Sequence, residues 1–199
     1  MSSNNKLVFS RPACVKLLFI NTNGLDNRPL TSTSGDIIGI KNKCAAIREL
    51  VREHDIRAVG IAETHGSPVK DRFFGLPISH STNAGRKGGT AIVSFDKKEI
   101  STKGESGKDW CSMHLNVADT SVVFVTTYFP PDAKRTKEVA ASLRSWLEVN
   151  RDRNIILSAD FNVTDTESSA DVAGLGAKSN PTRKAEISAL LEEFDFKDQ

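Results

Sequence analysis

Between Val15 and Thr64 the chain sets out a strand, a helix and a second strand in succession, and that order constrains its fold more than any other feature. "VKLLFIN" (15–21) is an apolar run of strand character. In "KNKCAAIRELVREHD", Cys44, Ile47, Leu50, Val51 and His54 recur at helical spacing with Lys, Arg and Glu on the other face, so a helix is expected to end near His54. "IRAVGIAET" (56–64) is the next strand. Two strands joined through a helix are the unit that builds parallel neighbours, which points to an α/β fold. The "DNRPLTSTSGD" between the first strand and the helix reads as a loop from its Pro, Gly, Ser and Thr.

The middle of the chain changes character. "GGTAIVSF", "DWCSMHLNV" and "SVVFVTTYF" follow one another and read as consecutive antiparallel strands. "AKRTKEVAASLRSWLEVN" is a helix with an apolar stripe of Val139, Leu143, Trp146 and Leu147, and the strand "NIILS" follows it. From Val163 to Pro181 the chain is a polar loop bearing Gly and Ser, and "PTRKAEISALLEEF" is a helix with Pro181 in its first turn. A length of 199 residues with 38% apolar side chains is enough for one substantial core. The expectation is a single α/β domain over residues 1–199, helices packed on sheets, with residues 1–13 a flexible N-terminus.

Charge decides little by itself, since 27 Lys and Arg stand against 25 Asp and Glu. Cys14, Cys44 and Cys111 are far apart and show no C-x-x-C spacing, which argues against a disulfide framework and a zinc site and for reduced core thiols. No stretch approaches the length of a membrane span, and "MSSNNKLVFSRPACVKLLFI" has no apolar signal region, so an intracellular, soluble protein is expected.

Four apolar strands stop on polar residues. The first ends in Asn21 and Asn23, the second in Glu63, a later one in Tyr128, and the last in Asp160 and Asn162. Strand ends are where ligands bind in such sheets, because side chains there are held rigidly yet reach solvent. Carboxylates and carboxamides without clustered His or Cys suit a hard cation such as Mg²⁺, which takes a few oxygen ligands and keeps its waters. None of His54, His65, His80 and His114 shows a paired metal-ligand spacing.

Each residue also has a plainer reading. Asn21, Asn23 and Gly24 taken alone are a turn, and Glu63 with Thr64 an ordinary strand exit or helix cap. Tyr128 before Pro130 and Pro131 reads equally as a core residue. Asp160 and Asn162 resist this treatment, because an Asx-turn explains one of them and not both around an apolar Phe161. Their occurrence together and in order outweighs the separate readings.

"INTNGL", the helix, "IRAVGIAETH", "GGTAIV", "VTTYFPPD" and "NIILSADFN" together resemble the endonuclease/exonuclease/phosphatase superfamily with the DNase I-like fold. The closest resemblance is to the apurinic-endonuclease-like domain of LINE-type non-LTR retrotransposons. It implies a four-layered α/β sandwich of two mixed sheets flanked by helices, and a nuclease using Mg²⁺ (or Mn²⁺) to hydrolyse a phosphodiester in double-stranded DNA. It also implies a nuclear location and a reverse transcriptase domain of the same polyprotein as partner, with no membrane.

Carried over, Asn21, Tyr128, Asp160 and Asn162 are the implied catalytic residues. Asn21 orients the catalytic groups and phosphate, Tyr128 contacts the phosphate, Asp160 orients or deprotonates the attacking water, and Asn162 positions that water and hydrogen-bonds the phosphate. Glu63 and Asn23 are the implied metal positions. Arg86, Lys87, Lys134 and Arg135 are candidate DNA-phosphate contacts, with a solvated charged surface as the alternative.

Three departures stand out. Ala159 replaces the Gly usual before the Asp, "DNRPLTSTSGDIIGI" lengthens the first strand-to-helix loop, and the family's final strand with its Ser-Asp-His motif has no counterpart before Gln199. The resemblance therefore implies a truncated piece or a naturally shortened relic. Two other classes stay open: a catalytically inactive binding or effector protein derived from a nuclease, and a phosphatase or phospholipase of the same superfamily. On the implied loss of the His contact, this chain is expected to nick a supercoiled plasmid in Mg²⁺ far more slowly than a complete domain; turnover equal to that of a complete domain would contradict it.

Overall fold

The computed structural model describes residues 15–25, 28–31, 37–66, 69–83, 88–96, 104–117, 120–162 and 181–197. Residues 1–13, Cys14, Arg86, Lys87 and the expected loop at 163–180 lie outside the described residues. The elements run β1 (Leu17–Asn21), β2 (Arg28–Thr31), β3 (Ile37–Lys41), α1 (Lys43–His54), β4 (Ala58–Ala62), α2 (Val69–Arg72), β5 (Ile78–His80), β6 (Thr90–Ser94), β7 (Trp110–Val117), β8 (Thr120–Tyr128), α3 (Ala133–Val149), β9 (Asn154–Asp160) and α4 (Pro181–Glu193).

Among the described residues the strands form a four-stranded sheet ordered β1-β4-β6-β5, a three-stranded sheet β7-β8-β9 and a hairpin of β2 with β3. The opening strand, helix and strand behave as expected, with β1 parallel to β4 from Leu17↔Ala58 to Asn21↔Ala62. A second parallel pair, β8 with β9, is joined through α3. Both sheets are mixed, since β6 runs antiparallel to β4, and β7 to β8.

Side-chain alternation sorts the core into layers. Val59, Ile61, Ala91 and Val93 pack with Cys44, Ile47 and Val51 of α1 and with Phe73. Val123 and Val125 of β8 pack with Val139, Leu143, Trp146 and Leu147 of α3 and with Ile187 and Leu190 of α4. Ala58 and Ile92 meet Cys111, Met113, Leu115 and Phe124 between the sheets. Helix, sheet, sheet, helix is thus the four-layered sandwich that the sequence implies. Cys44 and Cys111 are buried thiols outside any disulfide, and burial pushes Cys111 up to about 12, which keeps it protonated and unreactive.

Several expectations are corrected. Part of the expected loop after β1 is the β2–β3 hairpin, where Pro29 is tolerated because a two-stranded ribbon consists of edges. "GGTAIVSF" does not continue into the β7–β8 meander; β6 lies in the other sheet between β4 and β5, and its fully buried residues suit a strand covered on both faces. In α1 the buried stripe is Cys44, Ile47 and Val51, while Leu50 is 39% exposed at its edge and His54 is exposed in the last turn, where left-handed Asp55 turns the chain toward β4. The four-residue α2 and three-residue β5 are too short for periodicity to reveal. Ala159 sits within β9 opposite Thr127. No helix among the described residues is long and apolar enough to cross a membrane.

The sheets approach tightly at Gly60, where an added Cβ would lie 2.3 Å from Thr126 Oγ1 and 3.1 Å from both Phe124 Cζ and Ser158 Oγ. Thr126 cannot swing aside without losing its 2.9 Å hydrogen bond to Ser158. Gly60→Ala is expected to destabilise by about 1–3 kcal/mol through overpacking, read as a lower urea midpoint with an unchanged slope.

Candidate active site

The C-terminal ends of β1, β4, β8 and β9 open at one edge of the sandwich, and hydrogen bonds join their polar residues. Asn21 Nδ2 donates to Asp160 Oδ2 at 2.6 Å, which ties the end of β1 to the end of β9 and so one sheet to the other. Asn21 Oδ1 accepts from Asn23 N at 2.9 Å, fixing the amide orientation. Asn162 N donates to Asp160 Oδ1 at 3.1 Å, while its Nδ2 donates to Asp160 Oδ2 at 3.3 Å and to Phe129 O at 3.1 Å.

A carboxylate offers about four acceptor positions. Three of those on Asp160 are taken, and the remaining one, on Oδ1, can receive a water proton. Burial pushes the Asp160 carboxyl above its ordinary value and nearby Glu63 adds to this, while the Asn162 N–H, Asn21 and the Arg183 charge pull the other way.

Tyr128 lies opposite Asp160 in the β8–β9 register and is 3% exposed. Burial, then the charge of Glu63 and a hydrogen bond to it, hold its hydroxyl well above the usual tyrosine value, so the phenol stays protonated and donates to Glu63. Glu63 is in turn 3.8 Å from His65 Nε2.

The backbone at these strand exits is left-handed at Asn23 (φ 46°), Glu63 (φ 56°), His65 (φ 53°) and Asn162 (φ 48°). Asn and His adopt that conformation more readily than most residues, but Glu gains nothing intrinsically from it, so at Glu63 the surroundings must impose it. Gly88 and Gly89, at φ 86° and 80°, turn their carbonyls to accept from His65 N at 3.0 Å and Thr64 N at 3.1 Å. Gly24 N donates to Glu63 O at 2.6 Å. Lys43, in the first turn of α1, donates to Thr22 O, to Asn23 O at 3.2 Å and to Gly24 O at 2.6 Å.

Behind Tyr128 sits Asp109, whose side chain is fully buried. It accepts from Asn83 Nδ2 at 2.5 Å, Gly89 N at 3.1 Å and Arg135 Nη2 at 3.0 Å, and its carbonyl accepts from Tyr128 N at 2.9 Å. Arg135, expected at DNA, is therefore engaged with Asp109, whereas Lys134 is exposed on the first turn of α3. Asn21, Glu63, Tyr128, Asp160 and Asn162 come together; Asn23 contributes its N–H from an exposed turn. Tyr128 and Asn162 turn their donors inward, where the sequence points them at a phosphate.

Asp109, Lys43 and Arg183 escape sequence reading, because each is one charge among several with no spacing to set it apart. The double glycine before β6 is the one local signal of the cradle around Glu63.

The donors at this edge are oxygens, which fits a hard cation. Among the described residues no three His, Cys, Asp or Glu side chains converge as in a closed zinc site. Glu63, with its carboxylate beside Asp160, is the residue that would hold such a cation.

No protein-family model matches the chain, and no curated protein does. Solved structures identify the fold class: the chain has the DNase I-like endonuclease/exonuclease/phosphatase fold. Individual likenesses are to the 3′ phosphatase NExo from Neisseria bound to product DNA hairpin (15% identity, 90% of this chain and 71% of that one, TM-score 0.59) and an AP endonuclease from Archaeoglobus fulgidus (14%, 90% and 71%, 0.57). A third is to the endonuclease domain of TRAS1, a telomere-specific non-LTR retrotransposon (18% identity, 76% of this chain, TM-score 0.54). The chain spans 64% of the length of that domain.

The carboxyl environment makes a measurable prediction. Because the folded-state value of Asp160 is raised, the fold holds this proton more tightly than the unfolded chain does, and the Asp160 contribution to stability falls as pH rises from the ordinary Asp value through the folded one. Carboxyl NMR titration without added metal should show Asp160 titrating above the usual Asp range, and Glu63→Gln should move it down by removing a like charge. An unshifted Asp160 in both proteins would contradict the assignment.

Proposed function

We propose that this chain is a phosphodiester hydrolase that nicks double-stranded DNA with Mg²⁺ (or Mn²⁺), the endonuclease domain of a non-LTR retrotransposon. In this reading it works in the nucleus with a reverse transcriptase domain of the same polyprotein. The observation that carries the hydrolase reading is the Asp160 array, a half-buried carboxylate locked by Asn21 and Asn162 with one acceptor position left over.

Asp160 takes the proton of the attacking water. Its raised affinity for a proton suits a general base better than an ordinary exposed Asp would. Asn162, with both amide hydrogens engaged inside the protein, orients that water through its carboxamide oxygen. The second N–H of Asn21 is available to a phosphoryl oxygen where negative charge builds. Tyr128 fixes the Glu63 carboxylate. A cation held at Glu63 would supply charge neutralisation at the phosphoryl oxygens and the leaving alkoxide. No covalent intermediate is needed.

Lys134, Arg135, Arg86 and Lys87 are the proposed phosphate contacts along the duplex, Arg135 through guanidinium N–H groups other than the Nη2 donor given to Asp109. A Lys134→Ala variant should bind duplex DNA more weakly at every sequence and reduce the slope of log K against log salt by about 0.9. An unchanged slope would place Lys134 off the duplex.

A second reading has one observation in its favour. Tyr128 and Asn162 use their donors internally, as a nuclease-derived binding module without turnover could. Nicking of supercoiled plasmid in Mg²⁺ separates the two. The hydrolase reading expects nicking that is abolished by EDTA and reduced about 10²–10⁴-fold in folded Asp160→Asn. Duplex binding without any nicking would favour the binding module, and turnover confined to phosphate monoesters would favour a phosphatase.

A further inference from the structure

Arg183, in the first turn of α4, is 5% exposed, and its guanidinium reaches the back of the site. Nη1 donates to Asn162 O at 3.1 Å, Nη2 to Phe161 O at 3.1 Å and Nε to Thr136 Oγ1 at 3.3 Å. Thr136 passes the connection on, its hydroxyl donating to Pro130 O at 2.8 Å just beyond Tyr128. Phe129 stacks on Phe161 with centroids 5.7 Å apart, and Phe129 N donates to Asp160 O at 2.9 Å, so the two strand exits that Arg183 bridges already lean on each other.

The bonding is unusual for a buried cation. Among the described residues Arg183 forms no ion pair, and all three of its hydrogen bonds go to neutral oxygens. Burying a guanidinium in that way carries a desolvation cost that packing alone does not require. What it achieves is local: the carbonyls of Phe161 and Asn162 are held where Asn162 turns left-handed. That turn aims both N–H groups of Asn162 at Asp160.

We propose that Arg183 is a positioning residue of the hydrolytic site, clamping the backbone of the β9 exit so that Asn162 and Asp160 keep their register with Asn21 and Tyr128. This rests on the hydrolase reading above. The planar fork is essential to it, because two adjacent carbonyls must be bound together, which a lysine point charge does less well.

The test compares the full chain with Arg183→Met and Arg183→Lys in two measurements, plasmid nicking in Mg²⁺ and amide hydrogen exchange without substrate. Arg183→Met should lower kcat by about 10²-fold while KM stays within about twofold, as expected when a reacting group is misplaced by a fraction of an ångström. Arg183→Lys should recover part of the loss. Exchange at Asn162 N–H should accelerate in Arg183→Met while amides in β8 and the middle of α3 keep their protection, a local pattern that general destabilisation would not give.

A folded Arg183→Met with kcat within twofold of wild type overturns the proposal, as does unchanged exchange at Asn162. Should Arg183→Met fail to fold, Arg183→Lys is read in its place, and full activity there overturns the proposal equally. If the wild-type chain cleaves no phosphate ester, the hydrolase reading fails on its own, and the exchange measurement still decides whether Arg183 holds the β9 exit.

Discussion

The closeness of the two sheets at Gly60 is the constraint on which the site depends. A side chain there would run into Thr126, and its absence lets β4 settle against β8 and β9. Only with the sheets at that separation can a short carboxamide on β1 reach a carboxylate on β9, as Asn21 does to Asp160. Between the sheets Met113, Leu115 and Phe124 form an apolar cluster, and at the glycine Phe124 is joined by the small polar side chains of Ser158 and Thr126. A partly buried Thr126–Ser158 hydrogen bond completes this floor by pairing the two hydroxyls. The same two residues that make the floor polar also exclude a larger apolar neighbour, so core packing and site geometry are set together.

Left-handed turns at the strand exits are the second element of the design. Each exposes carbonyls that no sheet partner can satisfy, and in two of them a cation from the first turn of the following helix binds those carbonyls: Lys43 from α1 at residues 22–24, Arg183 from α4 at residues 161–162. At Glu63 no cation is used: its carbonyl accepts from Gly24 N and Thr22 Oγ1, while the carbonyls of Gly88 and Gly89 take the N–H groups of His65 and Thr64. A strand exit held by a helix is more rigid than one held by solvent, and a group that must meet a reacting atom gains from that rigidity. The positive charge placed behind these turns is consumed by main-chain oxygens, which leaves it largely unavailable to a ligand in front of them.

How much of this could be read in advance follows from the reach of the signals. Parallel pairing of β1 with β4 was legible because a helix of three turns separates two apolar runs, and the site edge because four such runs stop on oxygen-bearing side chains. Sheet membership of β6 was not, since an apolar run between glycines and a polar gap fits a meander and a central strand equally. Asp160 and Asn162 stood out by their spacing around Phe161, whereas Arg183 is one of two adjacent basic residues on a helix of weak amphipathicity, and only the folded chain shows which one is buried. Tyr128 was found as a position but not as an orientation, because the direction of its hydroxyl depends on Glu63, 65 residues earlier in the chain.

Electrostatics at the open edge sharpen the chemistry that the fold permits. Glu63 adds to the demand of Asp160 for a proton, and Tyr128 donates its hydrogen to Glu63 and offers no charge. Lys43 and Arg183 face backbone, and Arg135 faces Asp109. A phosphate ester approaching this edge alone would meet two carboxylates of its own sign, whose repulsion the neutral amides of Asn21 and Asn162 cannot offset. On the hydrolase reading, ester and hard cation therefore belong to one binding event, with Glu63 holding the cation and Asp160, displaced from it toward Asn162, kept for the proton. The register of β8 on β9 puts Tyr128 opposite Asp160, so the phenol that fixes Glu63 and the carboxylate kept for the proton rise from neighbouring strands of one sheet.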